Sequence, residues 1–234
     1  LLIALILLVI YGNKLGNIGV ALGLAGAGIT FALQEVIVSF AGWLNIILSG
    51  SPSVGERVKI GDAKGDIIDI GVMRTTIMEM GDWVSSDNYN GRVITLANSY
   101  VFKERIHNYS AEYPFLWDEV VVPIRTESDY KLAREVFTKV VNDICEDYAI
   151  KSEKGWKNMA NKYRVEHAQV RPMVTLRFNE NWITFTLRYI VEYKSRGRTK
   201  DVIYTALLDE IAKHDSITIA TATSEVTSVL KSSN

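Results

Sequence analysis

The chain has 234 residues, enough for two or three small domains, and a formal net charge of −1, so no global basic field marks it as a nucleic-acid binder. Its one cysteine, Cys145, excludes an intrachain disulfide framework; with Val141, Ile144 and Tyr148 around it at helical spacing, it reads as a packed core thiol. Charge is unevenly spread. Up to Gly55 only Lys14 and Glu35 are charged, which sets a membrane-compatible first part against a water-soluble remainder.

Residues 1–11 are uniformly apolar. A helix needs about 20 residues to cross the hydrocarbon core, and a signal peptide opens on basic residues. The segment is therefore expected to be the end of a truncated transmembrane helix. Gly12-Asn13-Lys14-Leu15-Gly16 gives a turn at 12–16. Residues 17–34 then form an uncharged stretch that spans roughly one bilayer as a helix. After Glu35 comes a second uncharged stretch, at 36–49, containing Trp43 and Asn45. It is too short to recross comfortably and suits an interfacial or pore-mouth helix.

At about 100° per residue, Gly19, Gly23, Gly26 and Thr30 share one face of the 17–34 helix, and Ala21, Ala25, Gly28 and Ala32 share nearly the opposite one. Small residues let membrane helices approach closely. A symmetric dimer needs one such face, whereas in a ring every helix touches two neighbours through two different faces. Two bulkier stripes lie between them, Val20/Leu24/Ala27/Phe31 and Ile18/Leu22/Ile29/Leu33. In a ring, either would line the axis with apolar side chains, a constriction that gates by dewetting. At this point a ring and a Gly-rich helix buried in a non-channel membrane protein both fit.

Ser51-Pro52-Ser53 marks the change to a soluble pattern. Strand alternation recurs at 57–60, 65–70, 75–78, 92–96 and 105–109, with glycines at 61, 65, 71, 81 and 91, and predicts a small all-β barrel or roll over 54–110. Over 117–220 the order changes: a strand at 119–124, a helix at 129–148, strands at 173–178 and 182–193, a helix at 199–214 and a short strand at 217–220. This β-α-β-β-α-β order fits a ferredoxin-like module. Residues 151–169 read as an exposed helix or loop, and 221–234 as a polar tail.

Ala32-Leu33-Gln34 at the end of a Gly/Ala-rich helix resembles the pore helix of the small-conductance mechanosensitive channel (MscS-like) family. The likeness continues through Pro52, Val54-Gly55-Glu56-Arg57-Val58-Lys59-Ile60-Gly61, Gly65-Asp66-Ile67, Arg74-Thr75-Thr76-Ile77, Leu96-Ala97-Asn98-Ser99 and Ile106-His107-Asn108-Tyr109-Ser110. That resemblance implies a membrane α-helical pore segment, a kinked amphipathic inner-surface helix at 35–50, a cytosolic all-β (Sm-like) barrel and an α/β ferredoxin-like vestibule module. It also implies a tension-gated homo-oligomeric ring, usually a heptamer, that passes ions and small osmolytes under hypo-osmotic stress.

Aligned on Gln34, the family's two constriction residues fall on Ala27 and Phe31, which selects Val20, Leu24, Ala27 and Phe31 as the axial stripe and leaves Gly19, Gly23, Gly26, Ala21, Ala25 and Gly28 for helix packing. Gln34 and Glu35 stand at the kink and pore mouth, with Glu35 where the family often has glycine. Glu35 either forms a ring that attracts cations or meets water or a basic group. The expected partners are other copies of the chain, membrane lipids and permeating ions, with no nucleic acid. Arg57, Lys59, Lys64 and Arg74 follow the membrane segment, so the positive-inside bias places the soluble part in the cytoplasm of a multi-pass inner-membrane protein.

No enzyme is expected, and no cofactor or metal. His107, His167 and His214 lack ligand spacing, and no phosphate or dinucleotide fingerprint occurs. The alternative reading is a membrane-anchored binding or scaffold protein with a β-barrel module. Asp62, Asp66, Asp69, Glu79, Asp82 and Asp87 in that domain speak against an RNA-binding face.

Overall fold

The computed structural model describes residues 19–85, 87–110, 115–166 and 168–221. The expectations for 1–18, for His167 and for all but the first residue of the tail lie outside them. Helix α1 (Gly19–Ala32) is followed after Leu33 by α2 (Gln34–Ser49), bent from it by 56°. No single described helix is long and apolar enough to cross a membrane, although the bent pair passes that test together. The bend falls at Leu33, one residue before Gln34, and is bridged by Leu33 N–H to the Ile29 carbonyl and Ile37 N–H to the Leu33 carbonyl. Gly50 closes α2: at φ 70° its N–H reaches the Ile46 carbonyl, a left-handed stop that glycine adopts without Cβ strain.

Five strands follow in the same unit: β1 (Arg57–Ile60), β2 (Ala63–Ile70), β3 (Arg74–Met80), β4 (Tyr89–Ala97) and β5 (Ile106–Asn108), with the short α3 (Tyr100–Lys103) before β5. They form an antiparallel sheet ordered β4-β3-β2-β1-β5. The sequence pattern predicts a barrel; among the described residues β4 and β5 stand at opposite edges and do not pair. Val58, Ile60, Ile67 and Ile77 fill the core, joined by Ile70, Leu96 and Ile106. Gly65 allows β2 to meet β3, because a Cβ there would sit 2.0 Å from the Met78 carbonyl oxygen.

One buried ion pair ties β1 to β2. Arg57 and Asp66 are cross-strand partners, with Nε to Oδ1 at 2.7 Å and Nη2 to Oδ2 at 3.1 Å, and each side chain is only 6% exposed. The Tyr89 hydroxyl also donates to Asp66; that bond, with burial, raises the phenol above its ordinary pKa and keeps it a donor.

The second compact unit comprises residues from 109 onward together with 84–88 of the β3–β4 connection. It holds β6 (Phe115–Arg125), α4 (Tyr130–Tyr163), β7 (Met173–Phe178), β8 (Trp182–Glu192) and α5 (Arg196–Ile211), with the sheet ordered β6-β8-β7. Alternate residues of β6 and β8, among them Val120, Val122, Ile124, Phe185 and Leu187, pack against Phe137, Val141 and Ile203 of the two helices. Asp129 starts α4 by accepting from the N–H groups of Lys131 and Leu132.

Two elements differ from expectation. Helix α4 does not yield to a separate exposed element after Tyr148 but runs on to Tyr163, because Ala149, Trp156 and Ala160 repeat at helical spacing and bury against Phe115, Val170 and Ile190. The expected last strand shrinks to a single bridge, Ile124 to Ile219. Its neighbours bind the turn after β6 instead: Ser128 Oγ accepts from Thr218 N–H, and Asp129 N–H donates to the Ser216 carbonyl.

Cys145 sits in the core at 3% exposure, and burial pushes its thiol up to about 12. Because the raised value keeps it protonated at pH 8, a maleimide should label the folded protein negligibly and the unfolded protein fully; rapid labelling of the folded protein would contradict this burial. Asp66→Ala would break this buried ion pair and should cost about 3–5 kcal/mol, read as a lower thermal midpoint. An unchanged midpoint would show that the pair does not hold the sheet.

Candidate functional site

Every residue from Gly19 to Ile37 is exposed, so α1 adds nothing to the core formed by the described residues. Val20, Leu24 and Phe31 are 64%, 70% and 78% exposed. The space beside Gly19, Gly23, Gly26 and Gly28 is open to 4 Å. The Thr30 hydroxyl turns inward onto the Gly26 carbonyl at 2.8 Å, so this polar residue adds little to the polarity of the helix surface. A helix apolar on all sides is stable only when something other than water covers it. Ala27, Thr30, Phe31 and Gln34 line a shallow cavity of about 290 Å³ on the bend.

Helix α2 differs, because one face is docked. Ser39, Gly42 and Ile46 are its buried residues, at the three-and-four spacing of a single stripe. Gly42 lies against the backbone of Asn98 so closely that a Cβ would meet the Asn98 carbonyl oxygen at 2.2 Å. Asn98 cannot retreat easily. Its Nδ2 donates to the carbonyls of Gly71 and Val72, its Oδ1 accepts from Thr75 Oγ1 at 2.8 Å, and its N–H reaches the Met73 carbonyl at 3.0 Å. The seat for α2 is thus built by the β2–β3 turn and the end of β4.

A polar latch adjoins that seat. Glu35, in the first turn of α2, accepts from Ser99 Oγ and from Lys103 Nζ, the latter at 2.6 Å. Ser99 is fully buried, whereas the Glu35 and Lys103 side chains are about half exposed, at 57% and 49%. Of the readings open for Glu35, the structure shows the pairing with a basic group. Within the chain its charge is paired with Lys103.

The sequence-predicted pore residues Val20, Leu24, Ala27 and Phe31 therefore share a helix that has no packing partner among the described residues, with Gln34 and Glu35 at its bend. Sequence reasoning missed the dock of Gly42 on Asn98 and the role of Lys103. One signal was present: Ser39 and Gly42 are small residues three apart in an otherwise bulky helix.

The family described as "Mechanosensitive ion channel, beta-domain" matches residues 35–111. Two proteins described as uncharacterized MscS family proteins align with the chain. One, from Buchnera aphidicola, is 27% identical over 137 residues, 56% of this chain and 45% of its own length. The other, from Archaeoglobus fulgidus, is 26% identical over 132 residues, 56% of this chain and 43% of its own length. The aligned stretch thus spans less than half of these curated relatives. Among solved structures, the fold resembles Helicobacter pylori MscS in a closed state, with TM-score 0.66 at 17% identity, covering 93% of this chain and 75% of that one. It also resembles Arabidopsis thaliana MSL1, with TM-score 0.61 at 14% identity, covering 86% of this chain and 64% of that one. The likeness to the mechanosensitive ion channel β domain thus covers residues 35–111, and the similarity to MscS family proteins extends over about half of the chain.

Gly42→Val should force α2 off the Asn98 backbone at a cost of about 1–3 kcal/mol, seen as faster hydrogen exchange along Gln34–Ser49. Exchange at the wild-type rate would mean that the close approach carries no load.

Proposed function

We propose that the chain is a subunit of a membrane-tension-gated ion channel, in which several copies, as in a heptamer, surround one pore. The observation that carries this reading is α1, a helix exposed along its whole described length, apolar on two faces and small on the other two. In a ring the small faces, Gly19/Gly23/Gly26 and Ala21/Ala25/Gly28, meet neighbouring copies, and Val20, Leu24, Ala27 and Phe31 face the axis. Phe31 supplies the main seal: a narrow apolar tube dewets, and ions do not pass without their hydration.

Gating follows from area. If the open ring occupies more membrane than the closed one, tension favours it by the work done on that added area. Helices packed through glycines slide past one another at little steric cost, so the ring has a route to widen. The dock of α2 on Asn98 fixes the lower end of each pore helix to its own β domain, so a tilt of α1 bends at Leu33. In this reading the protein is an integral membrane protein with both soluble units in the cytoplasm, lipids and permeating ions are its partners, and it releases ions and small osmolytes under hypo-osmotic stress. It performs no covalent chemistry and calls for no cofactor.

The test is patch-clamp of the reconstituted full-length protein under suction. Phe31→Ser should open at lower tension or leak at rest, and a variant with wild-type threshold would remove Phe31 from the gate. Lys103→Met should unmask Glu35 and raise cation preference in reversal-potential recordings, while Glu35→Gln alone leaves preference near the wild type. The opposite ranking would mean that Lys103 does not neutralise Glu35.

A further inference from the structure

The start of α5 borders a cavity of about 360 Å³ that lies wholly within the second unit. That volume falls in the roughly 300–1,000 Å³ range of small-molecule sites. Ile144, Ile190 and Val191 line it with apolar surface, and Tyr148 of α4, Glu192 at the end of β8, Ser195 and Thr199 line it with polar groups. Two of those polar groups have bonding capacity left over. Glu192 is half-buried, and among the described residues its carboxylate accepts only from Ser195 Oγ, at 2.8 Å. A carboxylate has room for about four such bonds. The cations nearest to it in the chain are engaged elsewhere: Arg196 and Lys200 pair with Asp118, and Lys194 lies over the Tyr193 ring. Thr199 is half-buried too. Thr30 and Thr205 turn their hydroxyls back onto the carbonyl four residues earlier, whereas Thr199 Oγ1 makes no hydrogen bond to the described residues. Burial, and after it the charge of Glu192, raise the Tyr148 phenol above its ordinary pKa, so ring and carboxylate feel one another.

We propose that this cavity binds a small primary ammonium compound with a short apolar body. An ammonium head carries one positive charge and three donors. Glu192 meets the charge, with a charge-assisted bond about twice as strong as a neutral one. Thr199 Oγ1 accepts a second N–H, and the aromatic ring of Tyr148 attracts the cation through its π electrons. Ile144, Ile190 and Val191 take the alkyl part out of water. The selectivity follows from the same groups. A neutral alcohol brings no charge, a quaternary ammonium brings charge without a donor, and an anion is repelled by Glu192. This site is independent of the pore: it can fail while the channel reading stands, and the reverse.

Saturation-transfer NMR on the full chain in detergent tests it, with n-butylammonium, n-butanol and tetramethylammonium as probes. Wild type, Glu192→Gln and Thr199→Val are compared; the micelle contribution is common to all three, so the difference between proteins reads the cavity. Glutamine still accepts from Ser195, so Glu192→Gln keeps the local fold while removing the charge. The wild type should bind n-butylammonium saturably, and n-butanol and tetramethylammonium about tenfold more weakly. Glu192→Gln should weaken n-butylammonium about tenfold and Thr199→Val about fivefold, with n-butanol unchanged in both. No saturable binding of n-butylammonium, equal binding of n-butanol or of tetramethylammonium by the wild type, or wild-type affinity in Glu192→Gln would each overturn the proposal.

Discussion

A contact between two backbones sets the geometry of the first unit. Gly42 touches the Asn98 carbonyl at a distance no other residue permits, and Asn98 is held in turn by four hydrogen bonds to the strand ends around it. Repulsion between atoms this close rises steeply, so α2 has one depth and one rotation at which it fits. The direction of α2 then fixes, through the 56° bend, where the exposed helix α1 starts. Moving the seat moves α1.

Around that steric contact the electrostatics are graded. Arg57 and Asp66 are sealed within the sheet, where separating them would leave charges poorly solvated, so the sheet behaves as a stiff plate. Glu35 and Lys103 face water, and a pair of that kind is worth only about 0–1 kcal/mol; it registers α2 on the plate without locking it. Under the proposed channel reading, a firm base with a weakly latched lever lets α1 change tilt while the sheet stays folded.

The sequence was informative where periodicity and burial coincide. Strands β1 to β4 and β6 to β8 lie where alternation puts them, because each buries one face on a helix or an opposing strand. Helix α4 ran past its expected end because the lysines and glutamates around Trp156 hide an apolar stripe of only three residues. The final strand was over-read, because Ile217 and Ile219 look like alternation, yet only the Ile124 to Ile219 bridge forms and Ser216 and Thr218 bond to residues 125–129. In the site, the stripe of Val20, Leu24, Ala27 and Phe31 was legible as a pattern, since helical spacing is a property of the chain itself. The Gly42–Asn98 dock was not, because it joins residues 56 positions apart whose closeness only the folded sheet reveals.

The account rests on several α1 helices standing around a dry axis with each α2 seated on its own β domain. Cryo-electron microscopy of the full-length protein in lipid nanodiscs tests this most directly. A ring with Phe31 pointing to the axis, Gly19 and Ala25 against neighbouring copies and Gly42 still on Asn98 is the predicted result. A monomer or dimer, or small faces turned to lipid, would contradict it.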